Sequence, residues 1–411
     1  MGLIVQKFGG TSVGSVERIQ HVAKLIQKEM NDGHQLVVTV SAMGKSTDQL
    51  VEMAGQISER PSAREMDMLL STGEQVSIAL LTMALHELGL EAVSLTGWQA
   101  GIETDEVHGK AKILNIDTER VLGHLRQGKV VIVAGFQGIS PDKQITTLGR
   151  GGSDTTAVTL AAALEAERCD IFTDVTGVYT ADPRIVPEAR QLEQISFDEM
   201  LELANLGAGV LHPRSVECAK NYGLPLMVRS SFEDVEGTWV KVETDMEEGK
   251  VVRGVAHDAG ITKVTVKGMV NEIGTLSRLF TTLAEAKINV DIIINQSLKG
   301  QEKTNISFSI HNEDLPQTLN VLEQKQASLH YDELVYEEEL AKVSIVGAGM
   351  ISNPGVAAEM FRSLGDAGIE IKMVSTSEIK VSCVVPQNDM AKAIQTLHRT
   401  FGLDKVKETS S

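Results

Sequence analysis

The chain has 411 residues, 42% hydrophobic and 23% charged, with a formal net charge of −18. That length allows more than one domain with its own core, and the acidic balance argues against nucleic acid or anionic membrane as partners. No apolar run reads as long enough to cross a bilayer, no signal peptide is visible, and Cys169, Cys218 and Cys383 are too scattered for a metal pattern or a disulfide framework. A cytoplasmic enzyme is the expectation, with each cysteine a small core residue.

In chain order, Leu3–Val5 reads as a buried strand, Val16–Met30 as a helix, Leu36–Val40 as a strand and Met66–Leu88 as one long helix. Val93–Leu95 and Val130–Val133 read as strands, Thr155–Glu167 as a helix and Ile171–Thr173 as a strand. Short β-rich runs between long helices predict an α/β fold with a mostly parallel sheet covered on both faces. Ligands on such sheets sit beyond the strand carboxyl ends. The loops after Val5, Val40, Val133 and Phe172 therefore come first.

An acidic stretch at 243–250 reads as a linker, and an internal repeat follows it. The copies begin at Val264 and Val343, with Gly274 matching Gly355, Phe280 matching Phe361, Leu283 matching Leu364 and Ile288 matching Ile369. Each reads as a βαββαβ, ferredoxin-like unit. The acidic run 336–339 separates them. The expected divisions are a catalytic domain over 1–243, a linker and strand over 244–260, and the two copies over 261–335 and 340–411. The strand Val251–His257 is expected to pair in the second copy's sheet.

Three loops carry chemistry. Lys7 closes the first strand and is followed by Gly9, Gly10, Thr11 and Ser12. Glycines let backbone N–H groups approach an anion, and the next helix offers its positive end. The order is not that of a P-loop, and no dinucleotide fingerprint can be read. Arg150, Gly151, Gly152, Ser153 and Asp154 precede an apolar helix. Ser153 or Asp154 could act there only as an N-cap, but that leaves Arg150 unexplained among glycines. Asp174, Tyr179, Asp182 and Arg184 surround turns after a strand, where an Asp and an Arg could grip Mg²⁺ and phosphate.

Together, K-F-G-G-T-S at 7–12, V-S-A-M-G at 40–44, S-T-G-E at 71–74, G-F-Q-G at 135–138, T-L-G-R-G-G-S-D-T-T at 147–156 and Y-T-A-D-P-R at 179–184 closely resemble the aspartate kinase family. The resemblance runs essentially end to end, and the repeat resembles that family's ACT domain pair. It implies an amino-acid-kinase-type αβα sandwich followed by two ACT domains, and the transfer of a phosphoryl group from MgATP to L-aspartate. It places Lys7 and Asp154 in catalysis. It assigns Ser41, Thr47, Glu74, Arg150, Gly151, Gly152, Ser153 and Asp154 to the amino acid. It assigns Lys7, Phe8, Gly9, Gly10, Thr173, Asp174, Tyr179, Thr180, Asp182 and Arg184 to ATP. No metal site built from side chains is expected. Relatives often carry G-A-K-V-L-H-P where this chain has Gly209, so a phosphate-reaching lysine is absent, with Arg184 or Arg214 as candidate substitutes. His212 is expected to be structural. The alternatives are a kinase of another amino acid, such as glutamate, or a catalytically silent sensor.

The resemblance also implies feedback inhibition by lysine, threonine or both, with effector contacts at Asn271, Gly274, Thr275 and Gln296 in the first copy. In the second copy they are Ile351, Ser352, Asn353, Val356, Thr376, Ser377 and Glu378. A homo-oligomer is implied, or a hetero-oligomer with a separately made ACT subunit; Met246 is a possible internal start.

Overall fold

The computed structural model describes residues 2–242, 251–296 and 302–405. The linker 243–250 and Met246 lie outside them. The chain forms two compact units, Met1–Tyr179 with Gln191–Glu247 and Thr180–Arg190 with Glu248–Ser411.

Unit 1 runs β1 (Leu3–Phe8), α1 (Val16–Asn31), β2 (Gln35–Val40), α2 (Ser46–Ile57), α3 (Ala63–Leu70), α4 (Thr72–Glu87) and β3 (Ala92–Leu95). It continues with β4 (Ile102–Thr104), β5 (Ile113–Ile116), α5 (Glu119–Arg126), β6 (Val130–Ala134), β7 (Gln137–Ile139) and β8 (Ile145–Thr147). Then come α6 (Gly152–Ala163), β9 (Arg168–Thr173), β10 (Gln194–Ser196), α7 (Phe197–Asn205), α8 (Pro213–Tyr222), β11 (Leu226–Ser230) and β12 (Thr238–Lys241).

Eight strands form one sheet in the order β10-β12-β11-β9-β1-β2-β6-β3. Among the described residues β11 with β12 is its antiparallel pair; the other pairs are parallel. β1 lies between β2 and β9, so Ile4 and Val5 on its two faces are both fully buried. This is why the central strands read as unbroken apolar runs. Helix α1 buries Ile19, Val22, Ala23 and Ile26, a stripe at helical spacing, and Ser15 caps it by accepting from the Arg18 N–H. A separate four-stranded sheet, β5-β4-β7-β8, was not foreseen.

The helix expected over 66–88 is two helices. Ser71 separates α3 from α4, and its carbonyl accepts from the Gln137 side chain at 2.8 Å. Taken together, Ala63–Glu87 has the length and hydropathy of a membrane span, contrary to the sequence reading. It nevertheless buries Asp67, Glu74, Ile78, Leu81 and Leu85 inside unit 1.

Unit 2 contains β13 (Gly254–Val270), α9 (Thr275–Glu285), β14 (Ile293–Asn295), β15 (Lys303–His311), α10 (Leu315–Gln324) and α11 (Gln326–Leu329). It then runs β16 (Glu333–Val346), α12 (Val356–Asp366), β17 (Met373–Thr376), β18 (Lys380–Pro386) and α13 (Met390–Thr400). The strand order β14-β15-β13-β16-β18-β17 makes one sheet of both repeats. Its two long strands are shared. Gly254–Ala259 pairs with Val346–Ala341 in the second copy, and Lys263–Lys267 pairs with Glu337–Glu333 in the first. The acidic run 336–339 is therefore part of β16, not a separator. It lies at a register shift, with Glu339 at φ +54°.

The units also differ from the expected division at 243. Thr180–Arg190 belongs to unit 2, where Ala181 and Val186 join the core of the second copy. Thr180 Oγ1 lies 2.9 Å from His398 Nε2, and Arg190 Nε donates to the Leu403 carbonyl.

Candidate active site

A cavity of about 1020 Å³ opens in unit 1, lined by residues from β1, α2, α3, α4 and the loop before α6. Lys7 lies near the carboxyl end of β1. Its Nζ is 2.6 Å from Asp154 Oδ1, and both side chains are largely buried. Asp154 stands in the first turn of α6 because the chain turns sharply just before it. Gly151 is the N-cap at φ +67°, with no side-chain cap, so neither Ser153 nor Asp154 is spent on capping. A Cβ on Gly151 would sit 2.1 Å from His212 Cγ, and one on Gly152 2.8 Å from Phe136. Only glycine fits either position.

The opening loop interlocks with its neighbour. The Gly44 N–H donates to the Gly10 carbonyl at 3.0 Å, and a Cβ on Gly10 would lie 2.9 Å from the Ala42 carbonyl. This brings Ser41 and Thr47 to the cavity wall. Glu74, in the first turn of α4, is 3% exposed. Its Oε1 accepts from the Ala42 N–H at 3.1 Å, while Oε2 is buried with no hydrogen bond among the described residues. Burial pushes its carboxyl up to about 7, against the smaller opposing effect of backbone hydrogen bonds. A solvated helix charge would show none of this.

Arg150 is exposed at the cavity rim and makes no hydrogen bond or ion pair among the described residues. Ser41, Thr47, Glu74, Arg150, Gly151, Gly152, Ser153 and Asp154, all expected around the amino acid, line this one cavity together with Lys7 and Gly10.

The expected nucleotide set is divided. Thr173, Asp174 and Tyr179 belong to unit 1; Thr180, Asp182 and Arg184 belong to unit 2. In unit 1 the loops after β1, β9 and β11 are tied together. Ser12 Oγ lies 2.8 Å from Ser231 Oγ, and Ser231 donates from both N–H and hydroxyl to the Thr173 carbonyl. Phe8 is wholly buried and stacks on Phe172 at 4.4 Å, so its ring belongs to the core. Thr176 Oγ1 lies 2.7 Å from Tyr179 Oη. In unit 2, Arg184 is 88% exposed and forks onto Asp182, which holds the Asp182 carboxyl below its usual range.

Arg214 is not a free substitute for a lysine at 209. Its guanidinium donates to the Leu148 carbonyl at 2.7 Å and the Ala111 carbonyl at 3.2 Å. His212 caps α8 by accepting from the Arg214 N–H, and burial lowers its pKa, in keeping with a structural role. No group of three His, Cys, Asp or Glu side chains gathers among the described residues.

Residues 2–230 match the model of the amino acid kinase family, and residues 264–326 and 343–401 match an ACT domain. The chain is 62% identical to aspartokinase 2 of Bacillus subtilis (strain 168), over 98% of its own length and 99% of the relative's. It is 47% identical to an aspartokinase of Mycolicibacterium smegmatis over 98% of its own length and 97% of the relative's. The chain belongs to the aspartokinase family. It is thus a kinase. Among solved structures, E. coli aspartokinase III in complex with aspartate and ADP superposes with a TM-score of 0.82 at 28% identity, covering 97% of this chain and 99% of that one. The same enzyme in complex with lysine and aspartate gives 0.77 over the same shares.

Among the lining residues that sequence reasoning did not single out are Asp67, Phe136 and Thr147. Phe136 adopts φ +69°, rare for a bulky side chain, and its N–H donates to Thr156 Oγ1. Its position between two glycines in G-F-Q-G was the available signal. Asp67 had none, because an acid on a helix reads as solvated.

In unit 2 the expected effector residues lie toward opposite edges of the six-stranded sheet. Gln296 follows edge strand β14, and Thr376, Ser377 and Glu378 end or follow edge strand β17. Gly274 at φ +98° caps α9 in the first copy, and Gly355 at φ +104° caps α12 in the second. Thr275 is buried and its hydroxyl donates to the Val270 carbonyl, while the Asn271 N–H donates to the Glu302 carbonyl. In the second copy Ile351 is exposed, Asn353 Nδ2 donates to the Gly349 carbonyl at 2.8 Å, Ser352 is exposed beside it, and Val356 opens α12.

Proposed function

We propose that the chain phosphorylates the side-chain carboxylate of L-aspartate with MgATP, giving 4-phospho-L-aspartate and ADP. The observation carrying this reading is Glu74, a buried carboxylate with one unpartnered oxygen, in the same cavity as the uncommitted guanidinium of Arg150. One charge suits an ammonium and the other a carboxylate. The nucleophile, with an unperturbed pKa of ~3.9, is ionised at neutral pH and requires no general base. The task left to the protein is electrostatic: to bring an anion to a polyanion and stabilise the transferring group. Lys7 and the Gly9 and Gly10 amides are assigned to the phosphates. Asp154 is assigned to orienting Lys7 and the substrate ammonium. Bound Mg²⁺ would supply neutralisation of phosphate charge.

The product would enter lysine, threonine and methionine synthesis, with lysine or threonine inhibiting through the ACT pair. The lysine and aspartate complex of the E. coli relative supports a regulatory ligand of this kind. A cytoplasmic location follows from the same reading. The deciding experiment is a coupled ADP-release assay with aspartate and glutamate side by side. Turnover of glutamate alone, or of neither, would replace this reading with one of the alternatives.

A further inference from the structure

Asp67 is a carboxylate in the cavity wall for which the phosphoryl transfer above gives no task. It sits on α3 with its side chain 1% exposed, and three donors satisfy it. Thr147 Oγ1 donates to Oδ1 at 2.5 Å, His108 Nδ1 lies 2.6 Å from Oδ2, and the Gly109 N–H is 3.1 Å from both oxygens. A carboxylate so committed is poorly suited to take a ligand itself. Its partners, however, come from two segments that converge on one loop.

Thr147 is the last residue of β8, and Arg150 stands three residues further on. Between them Gly149, at φ +76°, packs so closely that a Cβ there would lie 2.9 Å from the Gly109 carbonyl. The Ala111 N–H donates to the Thr147 carbonyl at 2.9 Å. Arg214 bonds the Leu148 and Ala111 carbonyls. The segment before Arg150 is thus held by Asp67 through Thr147 and Gly109, and by Arg214 at Leu148. The Arg150 side chain has no hydrogen bond or ion pair of its own among the described residues, so its backbone anchors set where it starts.

We infer that Asp67 is a positioning residue for the acidic substrate: its charge clamps β8 to the turn at 108–109 and so presents Arg150 to the substrate carboxylate. This rests on the aspartate reading above. A buried carboxylate is retained only where its donors are held in place, and a small displacement of a ligand-gripping group is felt strongly in binding.

The test uses the full chain and steady-state kinetics with both substrates. Asp67→Asn keeps the shape and some acceptor capacity but removes the charge. We expect the KM for aspartate to rise about tenfold or more, with the KM for ATP and kcat within about threefold. Thr147→Val and His108→Gln each delete one anchor and give smaller rises in the same constant, so the test survives a failure of Asp67→Asn to fold. The decisive arm combines Asp67→Asn, or Thr147→Val in its place, with Arg150→Lys. If the anchor acts through Arg150, the double variant is no worse for aspartate than Arg150→Lys alone. Multiplied effects, or a lost melting temperature and kcat with an unmoved aspartate KM, overturn the inference. A wild-type chain inactive on aspartate overturns the substrate reading and this inference with it. An active wild type with unmoved KM in the folded variants overturns only the inference.

Discussion

Lys7 Nζ and Asp154 Oδ1 meet 2.6 Å apart, joining the first strand of the chain to the first turn of a helix that begins some 145 residues later. The pair places a positive charge at the sheet's carboxyl edge and holds it there before any ligand arrives. Lys7→Ala should leave the fold intact and reduce kcat by about 10²–10³, the usual cost of losing a preorganised donor to developing charge. Near-normal turnover with an unchanged circular dichroism spectrum would remove Lys7 from the chemistry.

The second prediction concerns pH. Burial pushes the Glu74 carboxyl up to about 7, well above the usual glutamate range. Only its ionised form attracts an ammonium. The kcat/KM for aspartate should therefore rise as pH increases through about 7, and Glu74→Gln should lower it and flatten the profile. Stability carries the opposite sign. A raised folded pKa contributes stability that is present below 4.5 and lost as pH rises through 7. Glu74→Gln should thus melt higher than wild type at pH 8, by at most on the order of 3 kcal/mol at ~1.4 kcal/mol per unit, and show little difference at pH 4.5. Parallel pH–melting curves for the two proteins would contradict this.

Gly209 has open space where a Cβ would be built. Its φ is not in the left-handed range, so a side chain there is unstrained. Gly209→Lys should fold normally, and if a phosphate-reaching lysine belongs at this position it should lower the KM for ATP severalfold without changing that for aspartate. Titrating ATP at saturating aspartate measures this directly. An unchanged constant would mean that the nucleotide is held well enough without it.

For regulation, Asn353→Trp is the informative change. Asn353 is exposed, and among the described residues its side chain bonds within its own turn, to Gly349 and Ser352, so a larger side chain disturbs little else. Effector-free turnover should remain near normal, while the lysine or threonine concentration needed for half inhibition rises about tenfold. An effector inhibits only through preference for the inactive arrangement. Calorimetry with each amino acid alone and then both would check it; unchanged binding would shift attention to the first copy around Gln296.

The parallel sheet was legible because burial on both faces leaves nearly unbroken apolar strands such as Leu36–Val40, all of it fully buried. The cavity-lining loops were legible for a second reason: glycines at 10, 151 and 152 are required by contacts that no other residue survives, and such demands mark a sequence. The interruption at Ser71 was not, since nothing local marks it and its carbonyl meets a Gln137 side chain 66 residues away. Strands β4, β5, β7 and β8 are three or four residues each, too short to show a period. Asp67 was invisible because its partners come from distant turns, and nothing local distinguishes it from a surface acid.

Residues 180–190 constrain how the chain can be divided. Because this stretch leaves unit 1 after Tyr179 and rejoins it at Gln191, no single cut separates catalytic from regulatory material. A truncation near residue 243 would strand Ala181 and Val186, which are 4% and 2% exposed in the intact chain, as bare apolar surface. A product begun at Met246 would have the reverse defect: both ACT copies, and a gap in the second core where those two side chains belong. The modules are therefore stitched rather than strung, and gene fusions or domain exchanges should carry the eleven-residue stitch along with the regulatory half.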